Sequence, residues 1–153
     1  KPLQKIKIIL DSNVYDYILD KRLNIDWLIR NFDLYSTNVQ WSEIHNIPNE
    51  KRRNILVELY EKLNPQKLLL KSGIWVDELR WDDDQPWIDL VSRITDQLAG
   101  QNRNHIKDAL IGELSEYHNI MVITNDLGFY KKCKRSGIAV ESPDEIFSNA
   151  LTD

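Results

Sequence analysis

Short β-branched apolar runs that stop abruptly at acids or amides constrain this chain most. Ile6–Leu10 stops at Asp11-Ser12-Asn13, and Ile120–Thr124 stops at Asn125-Asp126. Such runs lack the alternation of a half-exposed strand and read as strands buried on both faces. A third run, Ile138–Glu141, follows Gly137, a natural C-cap for a helix over Leu127–Ser136. Strands alternating with helices in this way predict a parallel sheet covered on both sides.

The intervening segments carry helical periods. Val14, Tyr17 and Ile18 continue from the polar trio at 11–13 to about Lys21, and a second helix is expected over Ile25–Asn31. Leu34–Thr37 reads as a short strand, and Asn38 as the N-cap of a helix with Trp41, Glu43 and Ile44 that ends before Pro48. Ile55, Leu56, Leu59 and Leu63 mark one face of a helix over Glu50–Leu63. Residues 64–87 predict irregular backbone with one short helix or extended piece. Pro86 opens a helix with a stripe of Trp87, Leu90, Val91, Ile94 and Leu98 that Gly100 stops. Asn104 caps a helix to Tyr117 with Ile106, Leu110 and Leu114 on one side, and Pro143 starts a short last helix around Ile146 and Phe147. With 153 residues and no repeats, the chain is expected to form one domain over 1–153.

In a right-handed β-α-β unit, residues just after a strand share an edge with the first turn of the helix feeding the next strand. That edge is where open α/β sheets bind ligands. Asp11 and Asp126 follow strands, and Asp108 and Glu43 lie near the starts of helices, so four acids from distant segments converge there. Each alone has a structural explanation: Asp11 as a helix cap, Asp126 as a turn residue, Glu43 and Asp108 as favourable first-turn acids. Together they would repel one another unless a cation binds. Mg²⁺ or Mn²⁺ suits such an oxygen-rich site and activates water beside a scissile phosphate. Ser12, Asn13, Thr124 and Asn125 flank the acids and can orient them, although Ser12 and Asn13 also suit a plain helix start.

The net charge of −4 disfavours broad electrostatic binding of nucleic acid, so local clusters matter more. Lys131, Lys132, Lys134 and Arg135 follow Asp126 closely, and Lys51-Arg52-Arg53 forms a second cluster. Either is a solvated face or a guide for an RNA backbone, and Arg103 is a further candidate. Cys133, the single cysteine, excludes an internal disulfide or thiolate cage and fits a reducing cytoplasm. Its basic neighbours would lower a thiol's pKa, but no general base accompanies it. His45, His105 and His118 lack metal-site spacing, and Asp82-Asp83-Asp84 reads as a solvated cap before Pro86 rather than a second metal site. No run approaches the ~20 apolar residues of a membrane span, and the opening Lys1–Ile6 lacks a signal-peptide core, so no membrane partner is expected.

The segments Ile8-Ile9-Leu10-Asp11-Ser12-Asn13, Trp41-Ser42-Glu43-Ile44, Lys107-Asp108-Ala109-Leu110-Ile111 and Val122-Ile123-Thr124-Asn125-Asp126-Leu127-Gly128-Phe129, in this order over nearly the whole chain, resemble the PIN-domain family. The resemblance implies a three-layer α/β/α sandwich with a central parallel sheet of about four to five strands. It further implies Mg²⁺ or Mn²⁺ at Asp11, Glu43, Asp108 and Asp126, and endonucleolytic cleavage of single-stranded or structured RNA. Many small members it resembles are VapC-type toxins, homodimers inhibited by an antitoxin protein. The chain departs from that toxin pattern in the length of 68–87 and in Glu113, Ser115 and Glu116 after Asp108, where small apolar residues are usual. Toxin and other nuclease both stay open.

Rival classes leave fewer matches. A haloacid-dehalogenase-type phosphatase needs a second Asp two positions after the first, where Asn13 stands, and a receiver domain needs paired acids before its Asp-bearing strand. The alternative from another class is a PIN-like module without catalysis that binds RNA or a protein.

Overall fold

The strand β1 (Ile6–Leu10) lies at the centre of the molecule, and the alternation of its side chains feeds two cores. Ile8 and Leu10 point into one, with Leu34, Leu56, Tyr15 and Phe147; Ile9 points into the other, with Val122, Leu110, Phe129 and Cys133. A strand buried on both faces requires helices on both, and the chain provides them.

The computed structural model describes residues 5–68, 103–114 and 119–148. The expected Trp87–Leu98 helix with its stop at Gly100, the Asp82-Asp83-Asp84 cap and His118 lie outside the described residues, as do the side-chain readings of Arg103 and His105. After β1 come α1 (Ser12–Asp20), α2 (Ile25–Asn31), β2 (Phe32–Thr37), α3 (Asn38–His45), α4 (Glu50–Leu63) and β3 (Gln66–Leu68). Then follow α5 (Arg103–Leu114), β4 (Ile120–Ile123), α6 (Leu127–Arg135), β5 (Val140–Glu141) and α7 (Pro143–Ile146). The five strands form one parallel sheet in the order β3-β2-β1-β4-β5. Buried residues of α1, α2 and α4 join the first core and those of α5 and α6 the second, which makes the three-layer α/β/α sandwich expected from the sequence. Among the described residues no helix is long and apolar enough to cross a membrane.

Local chemistry explains most boundaries. Asn24 and Asn49 accept from the backbone N–H groups of Trp27 and Arg52 and start α2 and α4. Asn64 ends α4 in the left-handed region at φ 46°. Thr37, not Asn38, caps α3: its hydroxyl accepts from Val39 N, and the Gln40 side chain reaches back to Thr37 N at 2.7 Å. Asn38 is instead fully buried. The strand expected over Ile138–Glu141 is shorter, because Ile138 N still closes α6 on the Cys133 carbonyl, with Gly137 at φ 75° between them. The short extended piece allowed for within 64–87 is β3, whose place the sequence leaves open because its three residues lack an apolar run.

Three phenols make the fold alkali-sensitive. Burial raises the pKa of fully enclosed Tyr15 well above its ordinary value, and that of Tyr60 to about 12. Tyr17 also rises to about 12, through burial and then through the bond from its hydroxyl to Asp144 at 2.8 Å. Unfolded tyrosines ionise near pH ~10, so above that pH the unfolded chain holds fewer protons than the native one. The stability contributed by these neutral phenols is complete below pH ~10 and is lost as pH rises toward about 12. Denaturant titrations at successive pH values are expected to show the midpoint falling over that window, with phenolate absorbance of these residues appearing only on unfolding. Tyr15, Tyr17 or Tyr60 ionising in the native state at pH ~10 would contradict the burial.

Candidate functional site

From β1 the sheet grows one way to β2 and β3, whereas β4 lies on the other side of β1 and leads to β5. The loops leaving β1 and β4 diverge at this switch point, and the crevice between them is the ligand position of open α/β sheets. Asp11 N donates to the Ile123 carbonyl at 2.9 Å and joins the two strand ends.

Asp11 is the hub. Its side chain is 0% exposed, and its carboxylate accepts four hydrogen bonds. Oδ1 receives Ser12 N at 2.9 Å and Lys107 Nζ at 2.8 Å; Oδ2 receives Thr124 Oγ1 at 2.8 Å and Asn13 Nδ2 at 3.3 Å. Thr124 Oγ1 in turn accepts from Asp126 N at 3.0 Å, and Asn13 Oδ1 accepts from Asn125 N at 3.0 Å. Ser12, Asn13, Thr124 and Asn125, expected as flanking groups, thus form a net that ties the two loops together around one carboxylate. Asp126 caps α6, its Oδ1 accepting from Phe129 N at 3.2 Å. A Cβ on Gly128 would come within 3.3 Å of that oxygen, so the glycine leaves the carboxylate room.

Lys107 supplies the residue that sequence reading overlooked. Its side chain is 5% exposed, and its ammonium lies 2.8 Å from Asp11, 3.6 Å from Glu43 Oε1 and 4.6 Å from the centre of the Phe129 ring. Glu43, on α3 beyond β2, is 26% exposed and reaches the crevice through this contact. The neighbouring acid does not join them. Asp108 is 63% exposed and pairs with Lys132 of α6 at 3.0 Å, beside Ile111 and Arg135. The expected four-acid convergence is therefore realised as Asp11 and Glu43 around Lys107, with Asp126 linked through Thr124 and Asp108 turned toward α6. The physical reason is helical phase. Lys107, Leu110 and Leu114 are spaced i, i+3, i+7, and the burial of both leucines in the second core carries Lys107 inward. A step of one residue turns a helix by roughly 100°, which sends Asp108 outward. The spacing of Lys107 from Leu110 and Leu114 is visible in the sequence, but only the packing of those leucines in the second core fixes which way that face of α5 turns.

A divalent ion tests this arrangement on one point. Two carboxylates from separate elements aim at a single cation, the donor chemistry a hard ion prefers. The cation standing there is Lys107, and with it in place Asp11 accepts as many bonds as a carboxylate has lone-pair sites. Among the described residues no group of three or more His, Cys, Asp or Glu is disposed to hold a metal. The donor set therefore fits a divalent ion only where Lys107 yields its position.

The basic clusters divide. Arg52 is bound to Asp16 at 2.7 Å and Asp20 at 3.1 Å, and Arg53 donates to the Ile47 carbonyl at 3.0 Å, so both brace α4. Lys51 is exposed at its N-terminal end. On α6, Lys132 is engaged by Asp108 and Lys134 lies over the Tyr130 ring, while Lys131 and Arg135 are exposed. Cys133 is fully buried, and burial pushes its thiol up to about 11, the opposite of the lowering its basic neighbours suggested. His45 stacks on Trp41 and its Nδ1 lies 2.8 Å from the Trp41 carbonyl; burial lowers its pKa. A depression lined by Thr124, Asn125, Asp126, Leu127, Tyr130 and Glu145 adjoins the site. Comparison with known proteins returned no matching family model and no matching curated protein.

Proposed function

We propose that the chain is a divalent-metal-dependent endoribonuclease of the PIN type, working at the crevice between the ends of β1 and β4. One observation carries this reading: two acids from separate elements, Asp11 and Glu43, share one cation at the topological switch point of a parallel sheet. Mg²⁺ or Mn²⁺, when bound, supplies an activated water and neutralises charge on a scissile phosphate. The chain's own residues do the rest. Asp11 and Glu43 offer oxygens; Thr124, Asn13 and the Ser12 amide hold the Asp11 carboxylate in one orientation. Asp126 adds negative charge at the mouth, and Leu127 and Tyr130 give the adjoining depression an apolar wall for a base. Lys131 and Arg135 draw the phosphate backbone without reading its sequence. Buried, lone Cys133 suits a reducing cytoplasmic setting.

A second reading, a PIN-like module that binds RNA or a protein without catalysis, is favoured by the saturated hydrogen bonding of Asp11 and the outward turn of Asp108. Cleavage separates the two. Purified protein is expected to cut RNA in Mn²⁺ and stop in EDTA, and Glu43→Gln should slow it about a hundredfold. RNA binding without any cleavage in Mn²⁺ would leave the module.

The divided clusters make a further prediction. Replacing both Lys131 and Arg135 by Ala should weaken binding to all single-stranded RNAs alike, and flatten the log–log salt slope by about 1.4. Arg52→Ala should leave that slope unchanged and cost up to about 1 kcal/mol of stability, as expected of a largely solvent-screened ion pair. A slope that responded to Arg52 instead would place the RNA path along α4.

A further inference from the structure

We propose that Lys107 is the resident counter-cation of the carboxylate edge and competes with a divalent ion for the oxygens of Asp11 and Glu43, so that metal enters only as the ammonium leaves. The inference rests on the nuclease reading for the identity of the ion and goes beyond it in assigning a gate. Nζ stands 2.8 Å from Asp11 Oδ1 and 3.6 Å from Glu43 Oε1, with 5% of the side chain exposed. A hard divalent ion takes carboxylate oxygens at about 2.0–2.1 Å for Mg²⁺, within the space the ammonium fills. Two cations that close, screened by little water, repel strongly. Asp11 has no acceptor position to spare while Thr124, Asn13, Ser12 and Lys107 all donate to it. Of these four donors only Lys107 is long, flexible and cationic. The other three are anchored in the loops after β1 and β4 or in the first turn of α1. Part of the ion's binding free energy is therefore spent on displacing the lysine, and wild-type affinity is correspondingly weak. In the metal-free protein the same lysine relieves the repulsion between the two acids.

The test is direct Mn²⁺ binding by calorimetry, alongside thermal melts in EDTA and in Mn²⁺. Lys107→Met, which keeps the stem and removes the charge, is expected to melt below wild type in EDTA. It should bind Mn²⁺ about tenfold tighter, equivalent to about 1.4 kcal/mol. Its melting temperature should also rise more on adding the ion. Lys107→Arg should gain no affinity, and Lys62→Met, on the exposed face of α4, should match wild type in Mn²⁺ affinity and in both melts. Folding of Lys107→Met only when Mn²⁺ is added would support the proposal equally. An independent measurement uses the unaltered protein: amine acetylation read by mass spectrometry should find Lys107 protected in EDTA and labelled at saturating Mg²⁺, with Lys131 labelled equally in both. A folded Lys107→Met that binds Mn²⁺ no tighter than wild type would overturn the gate, as would Lys107 labelling that ignores Mg²⁺. Wild-type RNA cleavage is scored in parallel. Cleavage without the affinity gain removes this inference alone, and the affinity gain without cleavage removes the nuclease reading alone.

Discussion

Asp11→Ala is expected to lower the stability of the metal-free protein by about 3–5 kcal/mol and to abolish RNA cleavage in the same step. The carboxylate is enclosed and holds four donors, one of them an ammonium that is itself 5% exposed. Truncation leaves that charge buried opposite Glu43 alone, and strands the Thr124 hydroxyl that also braces Asp126. Removing one partner of a buried pair costs far more than the pair contributes, because the remaining charge has lost its solvation and its counter-ion. Urea midpoints measure the loss. The informative contrast is Asp108→Ala, which the same fold should tolerate within about 0.5 kcal/mol, because Asp108 and Lys132 form a solvent-facing pair. Four acids crowded together predict otherwise: neutralising any one of them would then stabilise the metal-free protein. An Asp11→Ala midpoint close to wild type, or a clear gain from Asp108→Ala, would reinstate that crowded arrangement and remove Lys107 from the centre.

Phe147→Ala is expected to cost about 3–5 kcal/mol, yet without specific harm to the crevice. Phe147 is 0% exposed at the end of α7. Its ring meets Phe32 edge-on with centroids 5.8 Å apart and lies 6.5 Å from that of Tyr17. It therefore pins the last described segment to the face made by α1 and β2, next to the Tyr17–Asp144 hydrogen bond. Loss of the ring leaves a cavity that a sheet-backed core cannot collapse around. Denaturation midpoints should fall accordingly, while cleavage per folded molecule, measured well below the transition, should match wild type. A loss of activity larger than the unfolded fraction explains would tie α7 to the site.

Residues with an unambiguous local period or cap disclosed their structure in advance. Ile6–Leu10 and Glu50–Leu63 have the expected bounds, because an apolar run ending in a cap and a long amphipathic stripe each admit one reading. The placement of Asp11 and Asp126 at strand ends followed from the same rule, since the carboxyl ends of parallel strands share an edge whatever the order of the strands. Glu43 could be placed near that edge but not joined to a partner. An extended piece is expected within 64–87, but its place at β3 is not legible, because Gln66–Leu68 pairs through its backbone with Tyr35–Thr37 and backbone pairing leaves no mark on side-chain pattern. Thr37 and Asn38 are both good caps by type and both are buried, and only the bonds from Val39 N to the Thr37 hydroxyl and from Thr37 N to the Gln40 side chain decide between them.

The order of residues along the chain was enough to set a parallel sheet, two covering layers and an acidic edge, because period and capping are local properties. It was not enough to choose between Lys107 and Asp108. That choice depends on the rotation of α5 about its axis, which Leu110 and Leu114 set by burying themselves against Ile9, Val122 and Phe129 from far along the chain. Packing of that kind is decided by volume and contact across the whole core, and one residue's rotation exchanged an expected carboxylate for an ammonium at the centre of the crevice.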